Sequence, residues 1–327
     1  MNSPFEQICR ELGLGSLSAP PVPLHGGHMH RMYEMRTTQG RYAVKLLNPE
    51  VMQRATAEEN YRAAEALEAL LEARGLPVLP ALVIGGKKRQ CVAGQQLYVF
   101  DYYDGRPLRD EEITPAHCEK IGRALAQIHA CGQRTAPDRS EALRPIDWPT
   151  LTAGLLRHPE SSHEGFAVHD ALHMLIRMTR AARLAADALP DIETICHNDM
   201  DSKNVLWQGD DFRIIDLECL GWADPHQEMM DLAISWAGSA PDKACFQAFI
   251  AAYLAEGGDI PSDPEMIYDS RRNHLDWLAA NAVRALAEDA QERRIGREQV
   301  LETLEKLASD QRNREPILTW FREVCGT

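Results

Sequence analysis

The stretch His197-Asn198-Asp199-Met200-Asp201-Ser202-Lys203-Asn204, followed by Ile214-Ile215-Asp216, decides how this chain is read. The carboxylate of Asp199 and the carboxamide of Asn204, five residues apart, can be presented to one space by a single short loop. The eleven residues between Asn204 and Asp216 suit a β-hairpin that returns a second carboxylate to that space. Its strands are Val205-Leu206-Trp207 and Phe212-Arg213-Ile214-Ile215, about a Gln208-Gly209-Asp210-Asp211 turn. Transfer of a γ-phosphoryl group needs a carboxylate that orients the attacking hydroxyl, and an amide and a second carboxylate that hold Mg²⁺ on the phosphate oxygens. Asp199 therefore reads as the base, and Asn204 and Asp216 as the metal ligands. The rival reading, in which His197 and Asp199 cap a turn and Asn204 starts a strand, has no use for the hairpin or for Asp216.

The segment 195–233 contains His197-Asn198-Asp199, Asn204, Ile215-Asp216 and Asp224-Pro225 through Asp231-Leu232-Ala233. It resembles the aminoglycoside phosphotransferase and choline kinase-like family, and the resemblance extends over most of the chain. It implies an α+β, bilobal, protein kinase-like fold. The N-lobe, residues 1–101, would be an antiparallel sheet plus helix that binds nucleotide. Residues 102–327 would form a mainly helical lobe for catalysis and acceptor binding. ATP or GTP with Mg²⁺ is the implied cofactor set.

Upstream, Gly40-Arg41-Tyr42-Ala43-Val44-Lys45-Leu46-Leu47 reads as a strand with one cation in an apolar run. Lys45 can reach nucleotide phosphates from there, and a helical carboxylate usually holds such a lysine. Helical periodicity over 55–74 supplies Glu58, Glu59, Glu65 and Glu68, with Glu59 preferred and Glu65 second. Between Leu24 and Met35, Gly26 and Gly27 allow close backbone approach to an anion, and His30 follows them. By resemblance this is the nucleotide-covering loop. A zinc reading of His25, His28 and His30 fails, since no further ligand stands near them at a familiar spacing. The strand ending at Phe100-Asp101-Tyr102 matches the hinge whose backbone meets the purine, although an ordinary strand and turn would read the same locally. His129, in a helix with Gly122, Leu125 and Ala126, reads as a packing residue.

Departures from the protein kinase pattern point to a small acceptor. Asp201 stands where H-R-D-x-K-x-x-N has lysine, Asp216-Leu217-Glu218 replaces D-F-G, and only seven residues separate Asp216 from Asp224. That leaves no room for a long protein-docking segment. Lys203, four after Asp199, either touches the γ-phosphate or faces solvent. Helical patterns run over 242–256, 264–292 and 297–310, and the resemblance implies that such helices and the catalytic loop frame the acceptor pocket, with Asp201, Glu218, Glu228, Asp276 and Trp277 as candidate contacts.

Composition excludes more than it selects. With 35 basic against 49 acidic residues the net charge is -14, which disfavours nucleic acid and favours either a cationic acceptor or simply a solvated acidic face. No apolar run of eighteen residues and no secretory leader pattern are present, and the eight cysteines form no regular framework. A cytoplasmic enzyme with no membrane association and no evident obligate protein partner is expected. A catalytically silent nucleotide-binding regulator of the same fold would be marked by loss of Lys45, Asp199, Asn204 or Asp216, and all four are present.

Overall fold

A computed structural model of the chain describes residues 4–24, 30–135, 145–261 and 263–326. It divides into two compact units, Met1–Ile113 with Gln127–Gly132 and Thr194–Ala223, and Thr114–Ala126 with Gln133–Glu193 and Asp224–Thr327. The class is α+β, with an antiparallel sheet near the N-terminus and mostly helix towards the C-terminus.

In the first unit, α1 (Pro4–Leu12) precedes β1 (Val22–Leu24), β2 (Arg31–Arg36) and β3 (Arg41–Leu46). Then α2 (Pro49–Met52) and α3 (Ala57–Ala73) lead to β4 (Gln90–Val92) and β5 (Gln95–Asp101), giving the sheet order β1-β2-β3-β5-β4. Strand side chains alternate between faces, so this sheet serves two cores. Met35, Val44, Leu97 and Val99 pack with Ile8 and Cys9 of α1, whereas Tyr98 packs with Leu47, Ala57, Tyr61 and Ala81 on the α3 side. Lys45 pairs with Tyr98 in the ladder and so shares the α3 face.

The chain continues through α4 (Pro115–His129), β6 (Gln133–Thr135), α5 (Trp148–Arg157), α6 (Ser162–Ala188) and β7 (Ile192–Cys196). The hairpin β8 (Val205–Gln208) and β9 (Asp211–Ile214) follows. Its turn is tighter than the sequence pattern suggested, because Gly209 takes a φ of +61° that permits a two-residue reversal. Next comes β10 (Gly221–Ala223), antiparallel to β7.

The second unit continues with α7 (Pro225–Trp236), α8 (Lys243–Ala255), α9 (Pro264–Asp269), α10 (Asn273–Arg284) and α11 (Ala290–Cys325). Its core joins α5, α6, α10 and α11 through Trp148, Leu155, Val168, Leu175, Leu278, Val300 and Leu307. The helix expected over 264–292 is broken twice. At Ser270–Arg272 the chain leaves the helix while the Arg271 guanidinium pairs with Asp231 at 3.3 Å and Asp310 at 3.8 Å. The periodic run expected to stop at Asp310 instead continues to Cys325, through Pro316.

Candidate active site

All groups that converge on the candidate site belong to the first unit. β7 delivers the loop that starts at His197, which is fully buried. The His197 Nδ1 accepts the Asp199 N–H at 3.2 Å, so the tautomer with the proton on Nε2 satisfies its 3.1 Å contact to the Ile215 carbonyl. The Ile215 N–H in turn donates to the Asn204 carbonyl at 2.9 Å. The backbone of Ile215 thus ties the loop to the residue before Asp216 through both its N–H and its carbonyl.

Of the three non-glycine residues with left-handed backbone among the described residues, two lie in this site, Asn198 with φ +65° and Asp216 with φ +63°. Such conformations are costly and persist where surroundings impose them. The Asn198 side chain donates to the Cys219 carbonyl at 2.9 Å, and β10 pairs Gly221 with Cys196, so the far end of the 216–221 segment is fastened at two points.

Asp199 accepts from Lys203 Nζ at 2.7 Å through Oδ1 and from Asn204 Nδ2 at 2.8 Å through Oδ2. Burial raises its carboxyl above the usual aspartate value, against the pull of Lys203. Lys203 also holds Asp201 at 2.8 Å, and its own charge is favoured by the two carboxylates despite partial burial. Asn204 Nδ2 gives a second bond, of 2.7 Å, to the Asp199 carbonyl. With the nitrogen committed, the amide oxygen of Asn204 and Oδ2 of Asp216 receive no hydrogen bond from the described residues. One amide and one carboxylate oxygen are hard donors of the kind Mg²⁺ takes while keeping waters and phosphate oxygens, so the set fits that ion.

Lys45 Nζ lies 2.5 Å from Asp216 Oδ1 and 2.6 Å from Glu218 Oε2. Burial opposes its charge, and the two carboxylates outweigh burial and hold its pKa above the ordinary lysine value. Glu218 Oε1 meets His30 Nε2 at 3.1 Å; burial works to raise this carboxyl, but His30 and Lys45 bring it well below the ordinary range. The His30 Nδ1 accepts the Asn48 N–H at 3.0 Å, which again places the ring proton on Nε2, facing Glu218 and, at 3.1 Å, the Tyr61 hydroxyl.

Two expectations are corrected here. Glu59 does not hold Lys45: it is exposed, because the face α3 buries runs through Ala57, Tyr61, Ala64, Glu68 and Leu71. The second choice, Glu65, accepts the Tyr98 hydroxyl at 2.7 Å instead. Glu218, expected among acceptor contacts, is the partner of Lys45 and His30. Tyr61 was not singled out from the sequence, although its i, i+4 relation to the buried Ala57 marks it as inward-facing.

Gly26 and Gly27, with His25 and His28, lie outside the described residues. Of the hinge candidates, Tyr102 donates its N–H to the Arg41 carbonyl at 3.0 Å. Antiparallel ladders alternate, so Phe100, opposite Ala43, also faces β3, while Asp101 turns its backbone groups to the other edge. On that edge the Val99 carbonyl already accepts from Leu82 at 2.7 Å. Asp201 stands half-exposed beside Lys203. The other acceptor candidates belong to the second unit: Glu228 is buried on α7, Asp276 pairs with Arg272 at 2.8 Å, and the exposed Trp277 donates to Gln299 at 3.0 Å. His129 is buried, 3.7 Å from the Cys196 sulfur.

The profile of the phosphotransferase enzyme family matches residues 22–264. Among curated proteins, a homoserine kinase of Acidiphilium cryptum is 30% identical over 161 residues, covering 48% of this chain and 46% of that enzyme. A second, of Gluconacetobacter diazotrophicus, is 28% identical over 206 residues, covering 62% of this chain and 60% of the relative. The matched region thus spans about half to three-fifths of these relatives' length. Among solved structures, a spectinomycin phosphotransferase in complex with ADP and spectinomycin superposes with a TM-score of 0.69 at 14% identity, covering 93% of this chain and 98% of the other. A choline/ethanolamine kinase family protein from Mesorhizobium loti gives 0.63 at 17% identity, covering 98% of this chain and 100% of the other. At these identities the structures speak for the fold.

Proposed function

Because the chain belongs to the phosphotransferase enzyme family, we propose that it moves the γ-phosphoryl of ATP or GTP to a hydroxyl of a small acceptor, with Mg²⁺ as cofactor. The observation that carries this reading is the convergence of Asp199, Asn204, Asp216 and Lys45 around two oxygen atoms that accept nothing from the described residues. Asp199 orients the acceptor hydroxyl and takes its proton as the O–Pγ bond forms and the bond from Pγ to the β-phosphate oxygen breaks, releasing the nucleoside diphosphate. Its raised carboxyl makes it a better proton acceptor than an ordinary aspartate would be. Asn204 and Asp216 would hold the Mg²⁺, which when bound neutralises charge developing on the phosphate oxygens. Lys45 supplies a fixed cation to the phosphates, and Lys203 a second one near the transferred group. The backbone of Asp101 offers the purine an edge that β3 does not use.

The acceptor is small, aminoglycoside-like or otherwise, and the charge of -14 favours one bearing a cation. Homoserine, named for the curated relatives, is a zwitterion with an ammonium group, a carboxylate and a hydroxyl, and stands first among candidates because of those relatives rather than because of net charge. Neutral and sugar acceptors form the contrasting set. A coupled assay of nucleoside diphosphate release across homoserine, choline-like amines, aminoglycosides and thioribose-like sugars, run with ATP and with GTP, tests the reading. Acceptor-dependent release supports it. Tight nucleotide binding with no release by any acceptor would favour a silent regulator.

A further inference from the structure

The glutamates of α3 are spent or turned away from Lys45. Glu58 pairs with Arg89, Glu59 is exposed, Glu65 accepts from Tyr98, Glu68 holds both Lys88 Nζ and the Ala81 N–H at 2.7 Å, and Glu72 lies 3.5 Å from the same Lys88 Nζ. Where the buried face of α3 meets this network it presents Tyr61, whose hydroxyl contacts His30. The carboxylates on Lys45 come instead from the segment after β9.

Asp216 and Glu218 are not equivalent partners. The Asp216 side chain is 32% exposed and keeps one oxygen unbonded by the described residues, whereas that of Glu218 is 14% exposed and has both oxygens engaged, one by Lys45 and one by His30. A carboxylate fixed at both oxygens is suited to hold a cation in place; one with a free oxygen is suited to bind something else. We propose that Glu218 is the positioning residue for Lys45, held in turn by His30, and that no glutamate of α3 fills that role. The proposal rests on the phosphotransferase reading and adds to it a residue that acts through the lysine rather than on the metal.

The test is calorimetric titration of ATP and ADP, with Mg²⁺ and with chelator, into wild type, Glu218→Gln, Glu59→Gln, Lys45→Met and the Lys45→Met/Glu218→Gln double variant. Glu218→Gln should weaken nucleotide binding on the order of 10-fold, as loss of an orienting partner commonly does, with and without Mg²⁺. In the Lys45→Met background it should add nothing, because contacting residues that act as a unit are non-additive. Glu59→Gln should bind as wild type. Unchanged affinity in Glu218→Gln, a full additional loss in the double variant, or a loss confined to Mg²⁺ conditions would each overturn the proposal. Should Glu218→Gln not fold, Glu218→Asp replaces it: a shortened carboxylate is expected to weaken binding several-fold, and wild-type affinity would count against the idea. A wild-type protein that binds no nucleotide removes the phosphotransferase reading, and the proposal with it. Nucleotide binding that ignores Glu218 removes the proposal alone.

Discussion

Two clusters in this molecule share one device, a cation gripped by two carboxylates. In the first unit Lys45 stands between Asp216 and Glu218. In the second unit Arg271 stands between Asp231 and Asp310. The Arg271 cluster is closed: the Asp231 carboxylate also accepts from Asn273 at 2.7 Å and that of Asp310 meets His274 at 3.0 Å, while the Asp310 backbone carbonyl accepts the Tyr268 hydroxyl at 2.6 Å and the guanidinium lies 4.1 Å over the Tyr268 ring. In the Lys45 cluster an oxygen of Asp216 accepts nothing from the described residues, and neither does the amide oxygen of Asn204, whose backbone carbonyl bonds the residue before Asp216. The difference teaches that buried charge by itself does not mark a functional site; unused bonding capacity next to it does. Arginine, permanently charged and with a rigid fork of donors, suits the closed cluster, while lysine is a single movable point charge.

The largest effect should separate the clusters by stability. Arg271→Met leaves two buried carboxylates without their cation, and loss of one partner of a buried pair commonly costs about 3–5 kcal/mol. Denaturant unfolding should show a loss of that size, and a loss under about 1 kcal/mol would mean that the second cluster is not the closed structural unit described. Next, Asp199→Ala should lower kcat by about 10²-fold or more while nucleotide affinity stays within several-fold, since general-base effects are of that order. Near-native turnover would remove Asp199 from its role.

A smaller effect concerns metal dependence. Asp216→Ala should blunt the gain in ATP affinity that Mg²⁺ confers on the wild type, and so should Asn204→Ala, because both would hold the ion against the phosphates. Equal metal dependence in wild type and variants, measured by calorimetry, would show that the free oxygens serve something other than a metal.

The smallest expected effect is one of pH on the closed cluster. Burial pushes the Asp231 carboxyl up to about 6, against the attraction of Arg271. Its folded-state value thus exceeds that of an unfolded chain, about 3.9. Stability linked to this group is complete below that unfolded value and is lost as pH rises through about 6. Asp231→Asn, which cannot ionise, should therefore gain stability relative to wild type between pH about 4 and about 7. A difference between the two proteins that does not change over that range would contradict the burial argument.

Much of the site was legible because its chemistry is local in sequence. Asp199, Lys203 and Asn204 share one short loop, and the hairpin length carries Asp216 back to it, so their spacing alone placed them together. The partner of Lys45 was not legible in the same way. Four glutamates of α3 offered themselves, and which of them faces inward depends on helical phase against a sheet, a choice that the burial of Tyr61 settles against Glu59. The break at Ser270–Arg272 was hidden for a related reason: periodicity continues across it, and the pairing of Arg271 with Asp231 and Asp310 joins residues about forty positions apart.

By itself, then, the sequence determined the strands and amphipathic helices, the candidate catalytic loop and its hairpin, because each depends on residues within a few positions of one another, and the α+β class followed from the family resemblance those motifs carry. Only the tertiary structure decided that Glu218 rather than Glu59 grips Lys45, that His30 and Tyr61 join that grip, and that Asp101 alone of the hinge residues turns its backbone away from β3. Those outcomes depend on which face of one element meets another. Strand alternation and helical phase restrict the faces available, but the contacts among distant segments select one.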